Sequence, residues 1–300
     1  MSTPDGIPAE TPELRIAHLS DTHLTAAGLP YNQVVDPFAA LDRAVEVLAR
    51  AVADGSGPDV IVVSGDLTDS GDPAGYRRLA ATLDPLATTV VYATGNHDVR
   101  TAFHTELLGV SDAGPRLQVV RLPRLRIMVL DSSVPGAGHG HLAAAHVAEL
   151  AAELGHPHPG GSVVVLHHAP LPPPSPLLTY FALDRASRLA LGRTLTGTDT
   201  RVVLAGHHHL AGSGTLAGIP VAVAGSTAIR TDPLAGPGHE RTTTSASFNL
   251  VGLYPDGAVT VSVIPVDGAA QVFDLDEAGC RAVIDAHPMA EHDSGRSAQQ

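Results

Sequence analysis

The chain has 300 residues, 44% hydrophobic and 16% charged, which excludes a disordered polymer and leaves enough length to bury a large α/β core. Its formal net charge is −13 and all 18 basic residues are arginine, so no basic footprint exists for coating nucleic acid. A single cysteine, Cys280, excludes an intramolecular disulfide framework and reads as a small buried residue.

The N-terminal stretch MSTPDGIPAETPE is polar and is no secretory signal, and no apolar run approaches the ~18–20 residues of a membrane span. A cytoplasmic protein is expected. The first strand lies in LRIAHLSDTH, beginning at Leu14. DPFAALDRAVEVLARAVA then spaces Phe38, Leu41, Val45, Leu48 and Val52 as one face of a helix. Further apolar runs occur in DVIVVSGDLTDSG, TVVYATGNHD, LRIMVLDSSVPG, SVVVLHHAP and RVVLAGHHH. Continuous runs of this kind predict strands buried on both faces. Between them DPAGYRRLAATLDPL, LAAAHVAELAAELG and DRASRLALGRTLTG predict helices. Strand and helix alternate to about residue 210, so the expectation is a layered α/β architecture.

Beyond that point GTLAGIPVAVAGS, SFNLVGLYPDG and AVTVSVIPVDG read as short strands completing a second sheet, with YPDG as a hairpin turn. HAPLPPPSPLLT predicts an extended, stiff loop bordering a site rather than a polyproline ligand. AEHDSGRSAQQ reads as a disordered tail. The folded domain is expected over 14–265, with 1–13 as a flexible segment and 266–300 as an extension.

The chemistry gathers at the strand ends. They deliver Asp21 and His23, then Asp66, then Asn96, His97 and Asp98, then His167 and His168, then His207, His208 and His209. Alone, each cluster is ordinary turn chemistry. Together, at the carboxyl ends of α/β strands, they converge on one edge where ligands bind. Oxygen and imidazole donors without thiolate suit Mn, Fe or Zn. So many donors suit two ions with a bridging carboxylate, an arrangement that at ~3.5–4 Å separation activates a hydroxide against a phosphoryl group. Two cations would also hold a small anionic phosphodiester despite the negative protein charge.

The ordered set D-x-H, GDxxD, GNHD, HHxP and GHxH resembles the calcineurin-like metallophosphoesterases. LSDTHL, GDLTDSGDPAGYRRL, VLDSSVPGAGHG and LGRTLTGTDTRVVLAGHHH extend the likeness to the bacterial class III cyclic nucleotide phosphodiesterases. The resemblance runs from about Leu14 to Pro265. It implies an αββα sandwich of two mixed sheets flanked by helices, and a homodimer. It implies one metal held by Asp21, His23, Asp66 and His209, and a second by Asp66, Asn96, His167 and His207. In this family the first histidine of HHxP is the ligand, so His167 is chosen over His168, although HHAP departs from the usual HHPP. Hydrolysis of 3′,5′-cAMP by in-line attack of a metal-bridging hydroxide is the implied reaction. Asn96 and His97 would contact phosphate, with His97 as general acid. Asp69 and Asp98 are candidates to orient imidazoles, His139 is a candidate pocket residue, and His208 is expected at the rim. His156 and His158 read as surface turn residues. The alternatives are a broader phosphodiesterase or phosphatase, acting on glycerophosphodiesters or 2′,3′-cyclic nucleotides, and a scaffold without catalysis.

Overall fold

The computed structural model describes residues 11–26, 29–112, 114–268 and 272–286, so the expected disordered tail lies outside the described residues. Residues 12–267 form one compact unit. The elements, in order, are β1 (Leu14–Leu19), α1 (Pro37–Ala53), β2 (Val60–Val63), α2 (Pro73–Leu83), β3 (Thr89–Tyr92), α3 (Arg100–Phe103), β4 (Leu117–Leu122), β5 (Leu125–Leu130), α4 (Ala144–Leu154), β6 (Ser162–His168), α5 (Pro176–Tyr180), α6 (Arg185–Leu195), β7 (Thr200–Gly206), β8 (Gly212–Leu216), β9 (Ile219–Val223), β10 (Arg230–Thr231), β11 (Thr242–Thr243), β12 (Ser247–Leu253) and β13 (Val259–Pro265).

Two mixed sheets result, ordered β13-β12-β1-β2-β3 and β4-β5-β6-β7-β9-β8. β1, β2 and β3 run parallel, as do β5, β6, β7 and β9. The antiparallel strands lie at the outer edges. Val60, Val62, Ile16 and Val251 of the first sheet meet Ile127, Val163, Val165, Val202 and Leu204 of the second in one apolar layer. On its other face the first sheet packs Ala17, Leu19, Ile61 and Val63 against Leu41, Leu48, Leu79 and Leu83 of α1 and α2. The second packs Met128, Leu130, Val164 and Val203 against Leu150, Leu154, Leu191 and Leu195 of α4 and α6. Strand residues alternate between the two faces, which yields an αββα sandwich.

α1 starts where Asp36 accepts from the Phe38 and Ala39 amides and Pro37 occupies the first turn. Of its expected apolar face Leu41 and Leu48 are fully buried, whereas Val52, in the last turn, is 40% exposed. The YPDG turn joins β12 to β13 as expected, closed by Tyr254 N–H donating to the Ala258 carbonyl at 3.0 Å.

The late strands depart from expectation. They do not complete one sheet: β8 and β9 extend the second, while β12 and β13 return to pair with β1 of the first. Strand β4 was not expected, because only Pro123 and Arg124 separate its run from that of β5. The proline-rich stretch yields a short helix, α5, with Ser175 capping it and Pro176 in its first turn. A separate C-terminal unit holds α7 (Glu277–Ala286), on which Cys280 is partly exposed rather than buried. Among the described residues no helix is long and apolar enough to cross a membrane.

The layered core gives a mutational contrast. Leu79, fully buried between α2 and the first sheet, is expected to cost about 2–5 kcal/mol when cut to Ala. Val263→Ala, at a position 54% exposed on an edge strand, should change stability by about 0.5 kcal/mol or less. Urea unfolding of the two variants measures the difference.

Candidate metal centre

The strand ends that carry the histidines and aspartates meet at one edge of the sandwich. Asp21, His23, Asp66 and His209 form one group whose donor atoms lie within 4.8 Å of one another; Asp66, His167 and His207 form a second within the same limit. Asp66 belongs to both. The first sheet supplies Asp21, His23 and Asp66 after β1 and β2, and the second supplies His167, His207 and His209 from β6 and the loop after β7.

The backbone here is unusual. Asp21, His23, Asp66, His207 and His209 all hold left-handed φ, between 43° and 69°. For residues with a Cβ such angles cost about 1–3 kcal/mol each, so surrounding contacts must hold them. Those contacts interlock. The Asp21 amide donates to the Gly65 carbonyl and the His23 amide to that of Asp66, both at 2.9 Å. The His207 amide donates to Asp21 Oδ2 at 3.0 Å and the His97 amide to Asp66 Oδ1 at 2.9 Å. Two glycines are required by close approach. A Cβ on Gly95 would overlap the Asp66 carboxylate, and one on Gly206 would overlap Ser20 Oγ and lie 2.7 Å from Asp21 Oδ2.

The imidazoles aim inward. His167 Nδ1 donates to the Ser64 carbonyl at 2.8 Å, which fixes the tautomer and leaves Nε2 facing Asp66 Oδ2 at 3.3 Å. His207 turns Nδ1 to within 3.3 Å of that same Nε2. The Nε2 atoms of His23 and His209 stand 3.0 Å apart, and His209 Nε2 is 3.2 Å from Asp21 Oδ1. His168 is different: Nδ1 bonds Ser132 Oγ at 2.9 Å and Nε2 the Gly138 carbonyl at 3.1 Å, so neither nitrogen is spare. Asn96, between two residues that touch the Asp66 carboxylate, keeps a buried Oδ1 with no hydrogen-bond partner among the described residues.

Charge compensation governs the titration. Burial alone would raise Asp21, but His209 and His167 outweigh it and hold the carboxyl below its usual range. Asp66 is likewise held low, His167 overcoming its burial. In return Asp66 and Asp21 override the burial of His167 and raise it to about 9. Buried carboxylates closed in by imidazole nitrogens, with an amide oxygen left over, form a donor set suited to divalent cations.

The remaining expectations divide. Asp69 does face imidazoles, with Oδ1 3.3 Å from His97 Nδ1 and 3.7 Å from His23 Nδ1. Asp98 does not. It accepts from the Leu67, Thr68 and Gly95 amides and from Tyr76 Oη, tying the loop after β2 to the loop after β3. Burial and the nearby Asp66 push Asp98 up to about 6. His208 is not at the rim but buried, and burial drives its pKa down to about 4. His139 is exposed and makes no side-chain hydrogen bond or ion pair among the described residues. His156 is exposed and His158 half-buried, each in the turn before β6. Tyr31, which no motif marks, stacks on His23 with ring centroids 4.5 Å apart and planes at 14°.

Strained residues that bear donor atoms, at the strand ends of an αββα sandwich, define a class of metal-dependent phosphoesterases. A model of the calcineurin-like phosphoesterase family matches residues 14–211, and the chain belongs to that family. It is 40% identical to a cAMP/cGMP dual specificity phosphodiesterase of Mycobacterium tuberculosis, across 87% of this chain and 82% of that protein. It is 39% identical to a probable cyclic nucleotide phosphodiesterase of Rhodococcus erythropolis, across 90% of each. Among solved structures, a purple acid phosphatase from yellow lupin superposes with a TM-score of 0.62 at 12% identity, covering 89% of this chain and 54% of that one.

Two measurements test this geometry. Gly95→Ala, which removes no donor atom, is expected to push Asp66 aside and weaken metal affinity about 10–100-fold, read by isothermal titration. The second concerns acid. Burial pushes His168 down to about 3 from 6.5, so between those values the unfolded chain binds the proton and the folded chain does not. Its contribution to stability is therefore complete above pH 6.5 and is lost as the pH falls toward 3. In metal-free protein the drop in urea midpoint from neutral to acid pH should be shallower for His168→Gln than for wild type.

Proposed function

We propose that the chain hydrolyses 3′,5′-cyclic nucleotides, cAMP among them, to 5′-monophosphates. The observation that carries this reading is the pair of donor groups sharing Asp66, in a chain about 40% identical to relatives named for cyclic nucleotides. Asp21, His23, Asp66 and His209 would hold one divalent cation, and Asp66, Asn96, His167 and His207 the other. Mn, Fe or Zn fits these nitrogen and oxygen donors. Such ions, when bound, activate water and neutralise the charge of a transferring phosphoryl group.

The chain's own residues do the rest. Asn96 and His97, adjacent on the turn after β3, are positioned to bind the non-bridging phosphate oxygens. His97 Nδ1 rests on the Asp69 carbonyl at 3.0 Å, which leaves Nε2 free to meet substrate. Burial lowers the His97 pKa, but Asp66 and then Asp69 outweigh it and raise the value above the ordinary one. That shift favours the protonated ring, the form that could serve as acid. As the oxygen of a water that has given up one proton to solvent bonds to phosphorus, the bond to the 3′-oxygen breaks, and His97 would give its proton to that oxygen, to be reprotonated from solvent. Tyr31 covers the outer face of His23 and keeps water from that side. His139, on the glycine-rich loop after β5, is assigned to the substrate side of the site.

With Mn-loaded protein, turnover of 3′,5′-cAMP should exceed that of 2′,3′-cAMP and of p-nitrophenyl phosphate. Asn96→Ala should abolish it. Fast cleavage of other diesters beside slow cAMP turnover would replace the substrate and keep the chemistry. His97→Asn should cost about 10²–10⁴-fold on cAMP, whose leaving alkoxide needs a proton, and far less on bis(p-nitrophenyl) phosphate, whose leaving group does not. Because the protonated ring is the active form, wild-type cAMP turnover should fall as the pH rises through the His97 pKa, and the variant should lack that limb.

A further inference from the structure

Next to Asn96 the surface opens into a cleft of about 290 Å3 walled by Asn96, Val99, Arg100, Ser133, Val134 and Pro135. Its lining includes a candidate metal ligand and lies between the start of α3 and the loop after β5. Its size is close to the ~300 Å3 lower end of small-molecule sites, room for a group the size of a nucleoside.

Arg100 dominates its polarity. The guanidinium Nε donates to Asp131 Oδ2 at 2.6 Å, and Nη2 donates to the Ser133 carbonyl at 3.3 Å and to Ser133 Oγ at 3.0 Å. Asp131 is itself fixed, its Oδ1 accepting from the Ser133 amide at 2.9 Å and from Ser133 Oγ at 2.6 Å. Nη1 makes no hydrogen bond among the described residues. A planar cation anchored along one edge and open at the other loses little conformational freedom on binding. Around it stand partly open apolar surfaces, Val99 being 46% exposed and Pro135 exposed. Apolar surface beside an anchored donor, with Asp98 and Thr101 also on the wall, suits a flat heterocycle with an acceptor edge.

We propose that this cleft is the subsite for the nucleoside of the substrate, with Arg100 Nη1 donating to the acceptor edge of a purine. The inference rests on the cyclic-nucleotide reading above. It fixes a direction: phosphate at the centre, ribose past Asn96, base between Val99 and Pro135.

The test compares inhibition of bis(p-nitrophenyl) phosphate hydrolysis by 5′-AMP and by inorganic phosphate. Metal-loaded wild type, Arg100→Lys and Val134→Trp are the proteins used; the second variant fills the cleft and leaves the Arg100–Asp131 pair intact. Wild type should bind 5′-AMP more tightly than phosphate. Each variant should raise the inhibition constant of 5′-AMP about tenfold, as loss of a charge-assisted contact predicts, and shift that of phosphate by less than about twofold. Unchanged 5′-AMP constants in both variants overturn the proposal. So does a parallel rise for both inhibitors, which would make Arg100 a support for Asn96. If wild type fails to cleave 3′,5′-cAMP and still shows the 5′-AMP pattern, the substrate assignment falls and the subsite stands.

Discussion

Asp21 and Asp66 are buried side by side, and two carboxylates excluded from water in one space repel each other strongly. Such a pair persists only where positive charge enters the same space. His167, His209 and His23 bring ring nitrogens within 3.2–3.8 Å of the two carboxylates and His207 stands against His167, a spacing that suits a shared cation. Coulombic demand accounts for the raised His167, whereas burial pushes His23 and His207 down, so that they offer nitrogen donors rather than charge. The raised His167 and the depressed aspartates are the two sides of one balance.

Meeting that demand falls to the chain's turns. A strand leaving a sheet in an ordinary conformation would carry its side chain away from the seam. The left-handed residues at 21, 23, 66, 207 and 209 bend the chain back, and each strained amide or carbonyl is locked by a neighbouring loop. Asp98 is the knot between the loops after β2 and β3. Each sheet brings only part of the donor set, so the centre is a property of the seam. The apolar layer from Ile16 to Leu204 presses the two sheets together and sets the spacing of the donors.

Much of this is legible in the sequence because the donor residues follow buried strands directly. Val60–Val63 announces a strand, and SGD immediately after it reads as a turn at the sheet edge. The same logic identifies GNHD and the histidine runs. What the sequence hides is long-range. SFNLVGL has the same composition whether it joins one sheet or the other; pairing with β1 is decided by the packing of Phe248 among the helices of the first sheet. His208 was expected to alternate outward, yet the left-handed residues on either side of it end the strand and turn it inward. Asp98 looks like a partner for imidazoles because it follows His97, while its carboxylate reaches backbone amides thirty residues upstream that no motif connects to it. Tyr31 lies in a loop without periodicity, so its stack on His23 has no local signature.

Strand β1 carries Asp21 and His23 at its end, and its two edges are satisfied by β2 on one side and by β12 on the other. β12, Ser247–Leu253, is among the last elements of the domain to be made. A chain growing from its N-terminus therefore exposes one bare edge of its first strand through most of synthesis, and the cost of closing so long a loop falls late. The turn at Asp21 is held by Ser226 Oγ on the Asp21 carbonyl at 2.7 Å, another late contact. Nascent chains that end before Ser226 have the sequence for every donor but lack one of the contacts that hold the first of them. The strand pairing that closes β1 and the contact that fixes the Asp21 carbonyl both therefore depend on residues made after position 225.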